Sequence, residues 1–245
     1  MVFEIITDLA SLLELENRRV EVYLRNFVFY DNLGYSPSLR FPPGVDPSRG
    51  LDGNPNLREI VEGDVCANYK LYWEFAYTAE GLSEQLKACL RVAKEFFGIY
   101  TKPPQIAPTL YGTIGSPTYP CFVRIPRTLG PGTGENYSTG SPPTLIETIV
   151  HEALAHIGTK KLRNKTPLAD KVTALGHFHK ERLMDLITAG ILSRAGVMGR
   201  EQVAMQRLPP DVCQLVDCFF YNGWRGNLRS LIDQINNELA HRLHT

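Results

Sequence analysis

Residues 144–161 read TLIETIVHEALAHIGTKK, and no other stretch constrains the chain as tightly. Thr144 and Glu147 have the spacing of a Thr-x-x-Glu capping box, and apolar residues fill the turns that follow. Gly158 stands where a helix would stop. The segment is therefore a bounded helix, yet its two histidines, His151 and His156, are five positions apart. At about 100° per residue they would project about 140° apart on an α-helix, and no rotamer of a short imidazole closes that gap around one ion. One extra residue absorbed as a π-bulge returns both rings to one face, and such bulges occur mostly at functional sites. The expectation is an i→i+5 turn within 151–156, with the small residues Ala153 and Ala155 easing the crowding around it.

The six residues HEALAH, 151–156, fit a His-Glu-x-x-x-His pattern. The pattern resembles the motif of the dipeptidyl peptidase III family of zinc peptidases, which uses such an expanded helix; the likeness covers about a dozen residues, HEALAHIGTKKL. The resemblance implies that His151 and His156 bind Zn2+ and that Glu152 activates water.

A catalytic zinc keeps three protein ligands and leaves a fourth position for water. The following segment, LGHFHKERLMDLI, places His177, Glu181 and Asp185 at i, i+4 and i+8 along one helical face. This is similar to the gluzincin pattern, in which a helix after the zinc helix supplies Glu-x-x-x-Asp. The likeness implies that Glu181 is the third metal ligand and that Asp185 is the partner of a metal-bound histidine, since a carboxylate on the remote ring nitrogen fixes the tautomer and raises basicity. His177 is then a transition-state donor, a more distant member of the network, or a rival ligand. Val172, Leu175, His179, Leu183, Leu186 and Ile187 form an apolar stripe opposite Glu181. Glu181 can face the zinc helix only if its own helix is central, with apolar packing on the other side.

The chain's 245 residues are 43% apolar and 21% charged with zero formal net charge. This is a globular profile without the basic footprint of a nucleic-acid binder or a polybasic membrane-surface protein. No run approaches the roughly 20 apolar residues of a membrane span, and the first residues show no signal-peptide pattern. The five cysteines are odd in number and include no CxxC pair, which fits a reducing, cytoplasmic setting rather than a disulfide framework. Cys213 and Cys218 read as apolar helix positions.

Along the chain, TDLASLLELENRR predicts a helix capped near Thr7 or Asp8, and β-branched and aromatic residues predict strands over 19–30 and 69–77. Residues 35–68 are rich in proline and glycine and predict a long surface excursion. Leu86, Cys89, Leu90, Ala93 and Phe97 define a helical stripe over 83–97 that would back the site. Prolines at both ends of YPCFVRIPR predict an edge strand over 119–126, where an extended peptide could add, with Arg124 or Arg127 attracting acidic groups. From 144 onward the chain reads as helical.

The fold class these signals predict is α+β and zincin-like, in one domain over 1–245. Residues 1–143 form a mixed α/β part with a small sheet and backing helix, and 144–245 a helical part that contains the metal site. The expected function is zinc-dependent hydrolysis, of a peptide or protein substrate, with Glu152 as general base and His177, Tyr137, Tyr221 and Arg225 as candidate oxyanion donors. One alternative is a non-haem iron or di-iron site in a helical bundle, for which Glu147 would have to leave its cap. Another is a non-enzymatic partner-binding protein with a structural metal or none.

Overall fold

A computed structural model describes residues 3–32, 37–97, 104–112, 115–116, 120–125, 144–158 and 177–197. They divide into two compact units, one of residues 1–83 with 104–135 and one of 84–103 with 136–245. The class is mixed helix and sheet, an α+β arrangement.

The first unit opens with β1 (Glu4–Ile5) and then α1 (Leu9–Arg25). Asp8 begins α1 by accepting the Ser11 amide at 2.9 Å. The strand expected over 19–30 is not present: α1 runs through Arg25, and α2 (Phe27–Asn32) follows at once. The reason lies in what α1 buries. Leu12, Glu16, Arg19, Val20, Tyr23 and Leu24 fall on one helical face, so two charged residues occupy core positions and disguise the 3.6-residue period.

The strand expected over 69–77 is also a helix, α5 (Tyr69–Gly81), which buries Tyr72, Phe75, Ala76 and Ala79. That i, i+3, i+4, i+7 pattern outweighs the β-propensity of the aromatics, and it leaves Trp73 and Tyr77 exposed. Nor are residues 35–68 a structureless excursion. They hold α3 (Pro37–Arg40), a 3₁₀ turn at Pro47–Arg49 and α4 (Leu57–Ala67), whose Leu57, Val61 and Val65 are buried.

The sheet adds β2 (Gln105–Thr109), β3 (Gly115–Ser116) and β4 (Cys121–Arg124) in the order β1-β2-β4-β3. β1 pairs parallel with β2 and β2 with β4, in the registers Glu4↔Gln105 and Ile106↔Cys121. β3 closes the sheet antiparallel to β4, with Gly115 opposite Val123. β4 is therefore an interior strand, not the expected edge. Pro120 lies just before Cys121 and so removes no ladder hydrogen bond within β4; Pro126 lies outside the described residues. Peptide addition along β4 is ruled out by its two partners, and Arg124 reaches the Gly112 carbonyl at 3.4 Å.

α1 packs on α4 and along β2. There, Glu16 accepts hydrogen bonds from the Tyr72 hydroxyl at 2.5 Å, the Thr109 hydroxyl at 2.6 Å and the Leu110 amide at 2.7 Å. Burial pushes its carboxyl pKa up, against the lowering effect of these donors and of the Arg19 charge.

In the second unit, α6 (Ser83–Phe97) buries Leu86, Cys89, Leu90, Ala93 and Phe97, the stripe expected for a backing helix. Burial raises the Cys89 thiol to about 11, so it is a packed apolar group rather than a nucleophile. α7 (Leu145–Ile149), a π-helix (Val150–His156) and α8 (His177–Arg194) complete the described elements. No helix among the described residues is long and apolar enough to cross a membrane.

Candidate metal centre

Thr144 starts the site helix with extended backbone angles, φ −69° and ψ 160°. Its hydroxyl accepts the Glu147 amide at 3.4 Å, and the Glu147 carboxylate accepts the Thr144 amide at 2.5 Å. Both halves of the capping box are present, and Glu147 is completely buried within it. The Thr148 hydroxyl adds a bond to the Thr144 carbonyl at 3.1 Å.

Beyond Ile149 the helix widens into π geometry for seven residues, Val150–His156. Ile149 and Ile157, on either side, keep ordinary right-handed angles (φ −62°, ψ −44° and φ −66°, ψ −39°). The π segment is thus an insertion in a continuous helix rather than a break, as the five-residue histidine spacing predicts. Gly158 is itself helical, so the stop expected there does not fall at that residue.

The widened turn sets the two imidazoles against each other, with Nε2 of His151 and Nε2 of His156 3.1 Å apart. Their rings meet edge to face with centroids at 4.8 Å. Bonds of 2.0–2.1 Å at a tetrahedral angle hold two nitrogens about 3.3 Å apart. The observed 3.1 Å is a hydrogen-bond distance between the rings and is also within a few tenths of an ångström of that zinc spacing. Asp185 stands behind His151, its Oδ1 3.0 Å from Nδ1. The contact has ion-pair distance without the angle of a hydrogen bond; a modest turn of the ring would align it, which would favour the proton on Nδ1 and leave Nε2 as the lone-pair nitrogen, the tautomer a metal requires.

His156, Glu152 and Asp185 are 6%, 6% and 4% exposed. Such burial of three titratable groups is costly unless they interact, which marks a site rather than a surface cluster.

α8 packs along the π segment and carries Asp185 to it. Asp185 and Ile187 project about 160° apart on α8, yet both are buried, as are Met184, Thr188, Ile191 and Leu192. These positions form one continuous face of about 160°, and Ser193 and Arg194 outside it are exposed, so α8 buries one broad face with Asp185 at its edge.

His177 and Glu181 lie on α8 two turns and one turn before Asp185; their side chains, and those of His179 and Leu183, are outside the described residues, as is the Leu186 side chain. The same holds for Tyr137, Val172, Leu175, Tyr221, Arg225, Arg127, Cys213 and Cys218. Among the described residues no group of three or more His, Cys, Asp or Glu side chains is placed to hold a metal; the third position is the one expected of Glu181.

The sequence reading missed the contact that ends the π segment. A Cβ on Gly158 would lie 2.5 Å from the Phe97 ring, so glycine is required there for close approach. Its signal was the pairing of a buried aromatic at the end of one helix with a glycine inside another. No protein-family model, curated protein or solved structure matches the chain.

Proposed function

We propose that the chain is a zinc-dependent hydrolase with a zincin-like fold, acting on the peptide bonds of a peptide or protein substrate in a reducing, cytoplasmic setting. The observation that carries the reading is the π turn that brings His151 Nε2 and His156 Nε2 within 3.1 Å, with Asp185 on the far nitrogen of His151. In this reading His151 and His156 hold the ion and Glu181, one turn before Asp185 on α8, completes the set. Zinc, when bound, supplies a Lewis acid and lowers the pKa of water. Glu152 takes the proton from the attacking water and passes it to the leaving amine. Asp185 keeps His151 in the binding tautomer, and His177 is a transition-state donor candidate on the same helix.

A di-iron site is disfavoured by a specific contact, because Glu147 is committed to the Thr144 amide. Metal analysis of full-length protein purified without added metal separates the readings. One zinc per chain is expected, lost in both His151→Ala and His156→Ala. Stoichiometric iron supports the alternative of a non-haem iron or di-iron oxidase, and undiminished zinc in both variants ends the assignment. Glu152→Gln keeps size and most hydrogen bonding but no base, so it should retain zinc and lose peptide hydrolysis.

A further inference from the structure

We propose that Phe97 is a positioning residue for His156, acting through Gly158; the inference rests on the zinc-hydrolase reading and deepens it. A π turn is rare and occurs mostly as a single widened turn at functional sites, so the contacts that flank it bear on where it stands. At its N-terminal side the restraint is the buried capping box of Thr144 and Glu147. At the other end, two residues past His156, the Phe97 ring occupies the space where any Cβ at position 158 would lie, with Cε2, Cδ2 and Cζ at 2.5, 2.6 and 2.7 Å from that point. Phe97 is buried and is the last residue of α6. Because the ring is buried, a Cβ at 158 could be accommodated only by the ring turning aside against its own surroundings.

Gly158 is helical and not in the left-handed region, so nothing in its backbone demands glycine. In a helix interior glycine is less stable than alanine. Packing against Phe97 is what glycine provides. The contact fixes how far the chain advances after His156 and hence the phase at which His156 faces His151. A methyl at 158 pushes against the ring and shifts the exit of the turn, which carries His156 Nε2 away from its 3.1 Å approach.

The test uses the full chain with Gly158→Ala, Phe97→Leu and the double variant, each checked for folding by circular dichroism. Zinc affinity is read by competition with a chromophoric chelator. Gly158→Ala is expected to weaken zinc at least tenfold while the protein stays folded. Phe97→Leu/Gly158→Ala should regain most of that loss, because the shorter side chain makes room for the methyl. This rescue is a non-additive coupling that general destabilisation does not produce. A folded Gly158→Ala with native zinc affinity, or a double variant no better than the single one, overturns the proposal.

Imidazole ¹⁵N shifts of His151 and His156 in metal-free protein at fixed pH provide a second readout, and they keep the test informative if Gly158→Ala fails to fold, since Phe97→Leu alone should perturb them. Should the native chain bind no zinc, shifts altered in the single variants and restored in the double one would retain the positioning role and remove the hydrolase reading. Unaltered shifts would remove both.

Discussion

Glu16 offers a test of the fold in which the direction of every hydrogen bond decides the outcome. Its Oε1 accepts from the Tyr72 hydroxyl and the Leu110 amide, and its Oε2 accepts from the Thr109 hydroxyl. Thr109 Oγ1 also lies 3.0 Å from the Tyr111 carbonyl. In Glu16→Gln the amide oxygen can keep the first two bonds while the new N–H donates to Thr109 Oγ1, whose proton turns to the Tyr111 carbonyl. The three original partners remain paired and one amide N–H is left over, so the loss should be about 1–2 kcal/mol at neutral pH, less than for removal of the whole group. Glu16→Ala leaves the Leu110 amide and Tyr72 hydroxyl without this acceptor; at about 1–3 kcal/mol for each orphaned donor, the loss is about 2–6 kcal/mol.

The pH dependence has a definite sign. The folded-state pKa of Glu16 is raised above 4.5, so the unfolded chain gives up this proton first as pH rises. The protonated carboxyl's stabilisation is complete below about 4.5 and is lost as pH climbs through the higher folded value. Urea unfolding from pH 4 to 8, with Glu16→Gln as the reference that cannot titrate, should show native protein losing stability relative to the variant. Equal losses in Glu16→Gln and Glu16→Ala, or a native-minus-Gln difference that does not move with pH, would refute the reasoning.

The remaining predictions concern the metal centre. Glu147→Ala should cost about 0.5–2 kcal/mol in urea melts, as the loss of a cap does, with zinc content unchanged; loss of metal would instead return the di-iron reading. Asp185→Asn should weaken zinc by about 10–100-fold in chelator competition, the usual effect of removing the carboxylate behind a ligating histidine. Native affinity would deny Asp185 that role. Deleting Ala155 restores a four-residue spacing, which on an α-helix leaves the imidazoles only about 40° apart. Some zinc affinity should survive while peptide hydrolysis is lost, because Glu152 no longer holds its place relative to the pair; a deletion variant with no zinc affinity would show that the π turn itself is needed for binding.

Local signals were legible wherever they were also complete. The capping box, the 83–97 stripe and the five-residue histidine spacing each state their geometry within a dozen residues, and the structure has all three. The failures share a cause in burial that composition hides. Glu16 and Arg19 sit on the core face of α1 because the polar groups of Tyr72, Thr109, Leu110 and Tyr111 receive them across 56 to 94 residues of chain. No window on α1 contains those partners, so its period looked broken and its second half looked like a strand. β1 and β3, of two residues each, have no periodicity to read and exist through their neighbours. At position 158 the glycine was legible, but its close approach to a ring from another helix was not.

The apolar pattern of the site helix bears on why its π turn exists at all. Ile146, Ile149, Val150, Ala153 and Ile157 are buried and follow i, i+3, i+4, i+7, i+11, the stripe of an ordinary α-helix. Leu154 and Ala155 are buried as well, so the segment is enclosed on nearly every side. Apolar burial is then almost indifferent to whether the turn is α or π, and π turns are rare in helices. What the wider turn adds is the approach of His151 to His156, two polar rings brought within 3.1 Å inside an apolar helix. At that distance one ring's N–H can donate to the other's lone pair, and a shared divalent ion would take the place of that proton and offset more of the cost of burial. The balance of these terms, more than the likeness of six residues to a motif, is the physical argument for a metal between them.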